Sequence, residues 1–526
     1  MAILMFLLCG CRENTDGVSS SETVLNTSAS AARDYLTLLY SSSDTFNPYT
    51  ATTEINRQLC KLLYEPLIKL DNEFNIHYCL SEKIEINGAS CTVTLKNRLF
   101  SDGSSLTAED VVYSFNLAKK SATEYAYKLY EAVSATAADS KTVVFKMSKA
   151  DPYFANLLDF PIMKKNSEKR TNSDGVVFPP IGCGRYMPND DMTKLVLNEK
   201  TLGNSNTFSV KEIRLINAPD EESVTHYVEI GAADMYYSDI SDGNILRMSG
   251  KKVNINLNRL IYIGVNVNHG DLSQAAVRQA ISSGIGRSVV CRDGYYNNAI
   301  AANGFYNPVW QAVKSVQNIE LQANKEITVE NLEKIGYNSL DSAGVRKNAS
   351  GARLKFDLLV NKENRLRVAA ARLISSQLSE CGFNIRVVEK SYEDYTAALS
   401  EGNFQLYLAE VAITPNMDIS SLIIEGGSAA YGVKKSHDSD ASSESSGTDG
   451  AQAEQPVATA AELIKGLYSS ANNITDVASV LQTEMPFIPV CYRTGVLFCN
   501  DNIENVNNSS VSDIYFSIES YKIKTK

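Results

Sequence analysis

The run from Tyr64 to Ala118 constrains the fold more than any other part of this chain, because it fixes a hairpin and a capped helix in one order. Leu67, Ile68 and Leu70 form a first apolar segment, and Lys83-Ile84-Glu85-Ile86 alternates with the period of a half-buried strand. Asn87-Gly88 is a hairpin turn signal, since glycine accepts the positive φ that a tight turn demands. Cys91–Lys96 is the returning strand, and Ser101-Asp102-Gly103 makes a second turn. Thr107 then predicts a helix N-cap, with Asp110 placed three residues on to complement it. Val111, Val112, Phe115, Leu117 and Ala118 are the helix's apolar face.

These residues carry a resemblance. Tyr64-Glu65-Pro66-Leu67, Leu80–Ile86 and the hairpin-helix unit Thr92–Phe115 resemble the signature of the extracytoplasmic solute-binding proteins of peptide/nickel ABC importers, the oligopeptide- and dipeptide-binding family. The resemblance continues at Gly182–Tyr186, at His226–Asp239, where Asp234 would cap or turn, at Leu260–Asn268 with the helix Ala276–Ile281, and at Pro486–Phe498. It implies an α/β, two-lobed, periplasmic-binding-protein-like fold of type II, with discontinuous lobes joined by two crossing strands. The expected division is 35–262 plus 491–526 for a first lobe with an extra subdomain, and 263–490 for a second lobe.

The residues support an α/β second lobe independently. Leu354–Val360, the helix Arg365–Cys381 and Phe383–Glu389 read as strand, crossover helix and strand, which predicts a parallel pair. A helix at Tyr392–Leu399 and a strand at Phe404–Ala409 follow, and Pro152 opens an expected helix through Leu158. From 434 to 455 no large apolar residue occurs, so that insertion is expected to be a disordered surface loop.

At 526 residues the chain exceeds a single ordinary core. Its net charge of −11 argues against nucleic acid, which needs a surplus of Lys and Arg. The first eleven residues are apolar, too short to span a bilayer, and resemble the end of a bacterial lipoprotein signal with lipid attachment at Cys11; positions 12–34 read as a polar tether. The other eight Cys are widely spaced without a Cys-x-x-Cys pair, which excludes the usual zinc pattern. Disulfides are chemically open to them outside the cell, while their apolar surroundings favour small core residues.

No catalytic constellation emerges. The four His, at 77, 226, 269 and 437, form no metalloprotease motif, no nucleophile elbow occurs, and Ser249/Lys252 satisfies Ser-x-x-Lys without its companion motifs. The expectation is a non-enzyme without cofactor or metal: a monomeric, lipid-anchored, extracytoplasmic protein that captures peptides and hands them to ABC permease subunits. The same fold could instead hold a nickel chelate, haem, a sugar or a signalling peptide, or serve as a surface receptor or adhesion module. The resemblance implies an acidic anchor for a peptide ammonium after the strand 404–409. That position falls on Thr414, a departure from the acidic residue, which leaves Asp418 four residues later and Glu410 at the strand's end as the candidate anions. Asp418 is also a natural cap for Ile419–Leu422.

Overall fold

The computed structural model describes residues 33–171, 177–202, 207–241, 249–314, 323–433, 459–467 and 474–524. Cys11, the tether as far as position 32 and the insertion 434–455 lie outside the described residues.

The hairpin forms as expected, with the turn shifted by one residue. Asn87 pairs with Ser90, so Gly88-Ala89 is the two-residue loop and Gly88, at φ 54°, takes its first position. Ser81–Asn87 and Ser90–Leu95 continue into Thr142–Met147 and Ala132–Ala137 as a four-stranded antiparallel sheet. Helix Ala108–Lys120 buries Ala108, Val111, Ser114, Phe115 and Ala118, and the Phe115 ring meets Phe145 edge-on at 5.5 Å. Its N-terminus is fixed by Asp110, whose carboxylate accepts from the Thr107 backbone N–H (2.9 Å) and from the Thr107 hydroxyl (2.7 Å).

A second sheet pairs Tyr35–Tyr40 in parallel with Glu212–Asn217, then antiparallel with Lys194–Leu197 and Tyr186–Pro188. Asp234 caps no helix and lies in the bend that leads into Met235–Ser238. It is a buried carboxylate accepting from the Thr37 N–H (2.7 Å), Asn500 Nδ2 (2.8 Å) and Arg33, so it ties three distant segments. The helix expected from Pro152 shrinks to one 3-10 turn, Phe154–Leu157. All four of its residues are buried, and Asp151 takes the Tyr153 N–H (2.8 Å) into a local turn, so there is no polar face along which a longer helix could lie against solvent.

The third sheet spans the molecule. Lys251–Val265 and Phe487–Cys499 run antiparallel along its middle; one end of this pair meets Met235–Ser238, and the other end meets Leu406–Ala412 and Ala299–Ala301. Lys355–Asn361 lies parallel to both Leu406–Ala412 and Asn384–Lys390, with helices Arg365–Glu380 and Tyr392–Ser400 as crossovers. The long pair therefore carries the chain between two lobes. Its register shifts between Asn256 and Arg259, where Asn258 sits at φ 52°. Farther along, a Cβ on Gly264 would lie 1.9 Å from the Tyr407 ring, so only glycine lets that ring cross the strand.

The eight described Cys are free thiols, seven of them buried. Burial pushes Cys91 and Cys183 up to about 12, as expected of inert core residues. No helix among the described residues is long and apolar enough to cross a membrane.

Candidate functional site

A cleft of about 320 Å³ opens where the crossing strands pass between the lobes. One wall is the polar face of helix Glu54–Leu63, which presents Glu54, Arg57, Gln58 and Lys61; beside it the short helix Glu124–Lys128 adds Glu124, Tyr125, Tyr127 and Lys128. The irregular turn Asn256–Arg259 forms the floor, and the segment 412–415 closes the far side.

Most of the cleft's charges are paired within its own walls. Arg57 holds Glu54 through Nη2 at 2.6 Å, and Glu54 also accepts from Gln58 Nε2. Lys128 holds buried Asp159 at 2.8 Å. Lys61 is buried and donates to the Tyr125 hydroxyl at 2.8 Å. Glu124 opens onto the cleft. Burial would raise its carboxyl, but Lys61 and Lys128 outweigh that and hold it below the ordinary carboxylate value.

Of the residues singled out in the sequence, Thr414 lines the cleft. Glu410 sits behind it, accepting from Arg493 at 2.9 Å and facing Arg259 at 3.4 Å. Asp418 is directed to Lys149 of the opposite lobe at 2.9 Å, and its other oxygen accepts from the Ser420 N–H at 2.8 Å. Burial works against the Asp418 anion, and Lys149 and Ser420 overcome it, so its carboxyl lies below the usual range. Asp418 is thus part of a rim that ties the lobes together. Asn416 Nδ2 donates to Asp151 (2.7 Å), the Tyr127 hydroxyl donates to the Ala412 carbonyl (2.9 Å), and Lys314 pairs with Glu73 (2.7 Å). Trp310, the single Trp, meets Tyr153 edge-on at 5.0 Å across the same gap.

Sequence reasoning missed Arg57, Gln58, Lys61 and Glu124. The signal was present, since Asn56, Gln58 and Lys61 interleave with Leu59, Leu62 and Leu63, so that both faces of the helix are buried. Among the described residues, no group of His, Cys, Asp and Glu is placed to hold a metal ion.

The model of the middle region of the bacterial extracellular solute-binding proteins, family 5, matches residues 75–430. Among curated proteins, the glutathione-binding protein GsiB of Escherichia coli K12 is 24% identical over 294 residues, covering 53% of this chain and 57% of that protein. The chain thus matches only a little over half the length of these relatives. Among solved structures, the unliganded open form of MppA, a periplasmic murein tripeptide-binding protein, superposes with a TM-score of 0.72 at 17% identity, covering 94% of this chain and 99% of that one. A nickel ABC transporter protein from Bacillus halodurans gives 0.70 at 17% identity, with 93% and 100% covered. AppA of Bacillus subtilis with a nonapeptide gives 0.55 at 17% identity, with 94% and 100% covered. At such identities these structures establish the fold.

Proposed function

This chain belongs to the bacterial extracellular solute-binding proteins of family 5, and on that premise we propose that it captures a short peptide-like ligand between its lobes and delivers it to the permease of an ABC importer. Proteins of this family are extracytoplasmic binding subunits rather than enzymes. The observation that carries the ligand class is the cleft lining, which holds charges of both signs and tyrosine rings at the strand crossing. Such a lining suits a zwitterion. At about 320 Å³ the cleft is at the small end of ligand pockets, which favours a ligand of one to three residues over a nonapeptide.

In this reading the register break at Asn256–Arg259 is the hinge, and closing expels water so that each charged contact strengthens. Thr414 touches the ligand, while Glu410 and Asp418 hold the walls through Arg493 and Lys149. Lipid attachment at Cys11 keeps a monomeric protein at the outer face of the membrane.

Trp310 supplies the assay, because it is the single Trp and touches the opposite lobe at Tyr153. Selective Trp fluorescence, titrated with a panel of di- and tripeptides, should change saturably for at least one member. A pair of labels, one in each lobe, should change separation at the same concentration. A flat response to every peptide in both measurements would refute peptide capture.

A further inference from the structure

The hydrogen bonds of the cleft wall leave one pair of buried donors partly unused. Lys61 is 8% exposed, and its ammonium donates to the Tyr125 hydroxyl at 2.8 Å. An ammonium has three N–H donors, and among the described residues this one makes no other hydrogen bond and no ion pair. Tyr125 is 3% exposed. Its oxygen accepts from Lys61, so its own proton points elsewhere, and among the described residues no acceptor takes it. Burial, with Glu124 and Asp159 adding to it, pushes the Tyr125 phenol well above its ordinary value, so the hydroxyl keeps its proton and remains a donor.

The pair is held in place by its surroundings. The Tyr49 ring meets Tyr125 edge-on at 6.0 Å, and the Lys61 and Lys128 ammoniums lie 5.3 and 5.4 Å from the centre of the Tyr125 ring. The carboxylates of this wall are otherwise placed: Glu54 is on Arg57, Asp159 is on Lys128, and Glu124 is exposed to water. Buried donors without acceptors cost free energy until an acceptor arrives. Lys61 and Tyr125 both line the cleft, so that acceptor can come from a ligand. The two donor atoms touch, and an anion with two oxygens on one carbon matches them together.

We propose that the Lys61 ammonium and the Tyr125 hydroxyl together receive a carboxylate of the ligand, one oxygen on each donor. The inference rests on the capture reading above and deepens it, since it sets the acid group of the ligand against helix Glu54–Leu63. The ligand class is a short peptide with a free carboxylate, at its chain end or on an Asp or Glu side chain. An amide in that place would turn an N–H toward two donors, and so would lose one acceptor and the charge-assisted contact.

Calorimetric titration of the full chain tests this with L-alanyl-L-alanine, L-alanyl-L-leucine and L-alanyl-L-phenylalanine, each beside its C-terminal amide, and with L-glutamyl-L-alaninamide, whose carboxylate is on the side chain. A free acid should bind at least about tenfold more tightly than its own amide. The glutamyl amide binding more tightly than every free acid would support the same pair of donors, with a side chain as the source of the carboxylate. Lys61→Met should weaken the carboxylate-bearing probes at least about tenfold and leave the plain amides unchanged, while Lys61→Arg should keep most of the preference. Tyr125→Phe removes one neutral donor and should weaken the same probes about threefold to tenfold, again sparing the amides. Should Lys61→Met fail to fold, Tyr125→Phe and Lys61→Arg decide the matter. Acids and amides bound alike, or weakened alike by these substitutions, would overturn the carboxylate site while leaving peptide capture standing. No saturable binding by any of these probes, nor by a wider set of di- and tripeptides, would overturn the capture reading and this site with it.

Discussion

Asp513 offers the sharpest test of what holds the first lobe together. Its side chain is 1% exposed, and it accepts from Arg185 Nη2 at 2.6 Å and from the Tyr515 N–H at 2.9 Å, with Lys69 Nζ 3.2 Å away. Both cations are nearly buried and share one further enclosed carboxylate, Glu65, at 3.5 Å from Arg185 and 3.0 Å from Lys69. Asp513→Ala would leave the two enclosed cations with Glu65 and, 3.7 Å from Arg185, the half-exposed Glu519. Removing one member of a buried pair costs about 3–5 kcal/mol, because the remaining charge stays desolvated. At about 2 °C per kcal/mol for a large domain, the lobe's melting temperature followed by circular dichroism should fall by about 6–10 °C. Burial disfavours the Asp513 anion, but Arg185 and Lys69 more than compensate, so its folded pKa lies below the unfolded value of about 3.9. A depressed carboxylate contributes stability that is complete above the unfolded pKa and lost as pH falls through the folded one. The gap between wild type and Asp513→Ala should hold constant from about pH 8 to 5 and narrow only below about pH 4. Adding Arg185→Met should cost less than the sum of the two single changes. A fall of under 2 °C, or a gap that closes near pH 6, would refute the network.

Three further outcomes follow from named contacts. Gly264→Ala puts a Cβ 1.9 Å from the Tyr407 ring and should destabilise by about 1–3 kcal/mol in a denaturant titration, with Tyr407→Leu as the compensating change; an unaltered midpoint would show that the strand can shift. Asp418→Asn breaks the tie to Lys149, whose side chain is 37% exposed, so it should cost under about 1 kcal/mol and change the affinities of free-amine and acetylated peptides together; a tenfold loss confined to free-amine peptides would instead make Asp418 the ammonium anchor. Cys11→Ser should move the protein from the membrane fraction to the medium with ligand affinity unchanged, and its retention on membranes would refute lipid attachment there.

The hairpin, the capped helix and the parallel strands were legible because each rests on neighbours in sequence. Glycine at 88, a carboxylate three residues after Thr107 and an apolar run between crossover helices act within a few positions. The turn was misplaced by one residue because Asn87 and Gly88 both suit a tight turn, and only the pairing of Asn87 with Ser90 separates them. The long crossing strand was read from Leu260, although it begins at Lys251. Its first half alternates Val253, Ile255 and Leu257 with Lys and Asn, a half-exposed pattern that is weaker than the apolar run after it.

The site was less legible, for a reason that concerns pairing rather than composition. Asp418 follows a buried strand and looks like an available anion until Lys149, 269 positions away, is brought against it. Glu410 looks equally available until Arg493 arrives from 83 positions downstream. Lys61 presents the opposite case, since on a helix with Glu54, Arg57 and Gln58 it reads as one more solvated charge. In the fold, Glu54 is taken by Arg57 and Gln58, and Lys61 is buried with its ammonium on the neutral Tyr125 hydroxyl. A binding site in such a cleft is the set of charges that remains after the fold has formed its own pairs. Pairs within one lobe, such as Arg57 with Glu54 and Lys128 with Asp159, persist whether the lobes open or close. Pairs between lobes, such as Lys149 with Asp418, can form only on closing, so they govern how far the cleft shuts rather than what it holds. Recognition is left to groups belonging to neither set, and the buried Lys61 ammonium, which donates to the neutral Tyr125 hydroxyl on the cleft wall, is one of them.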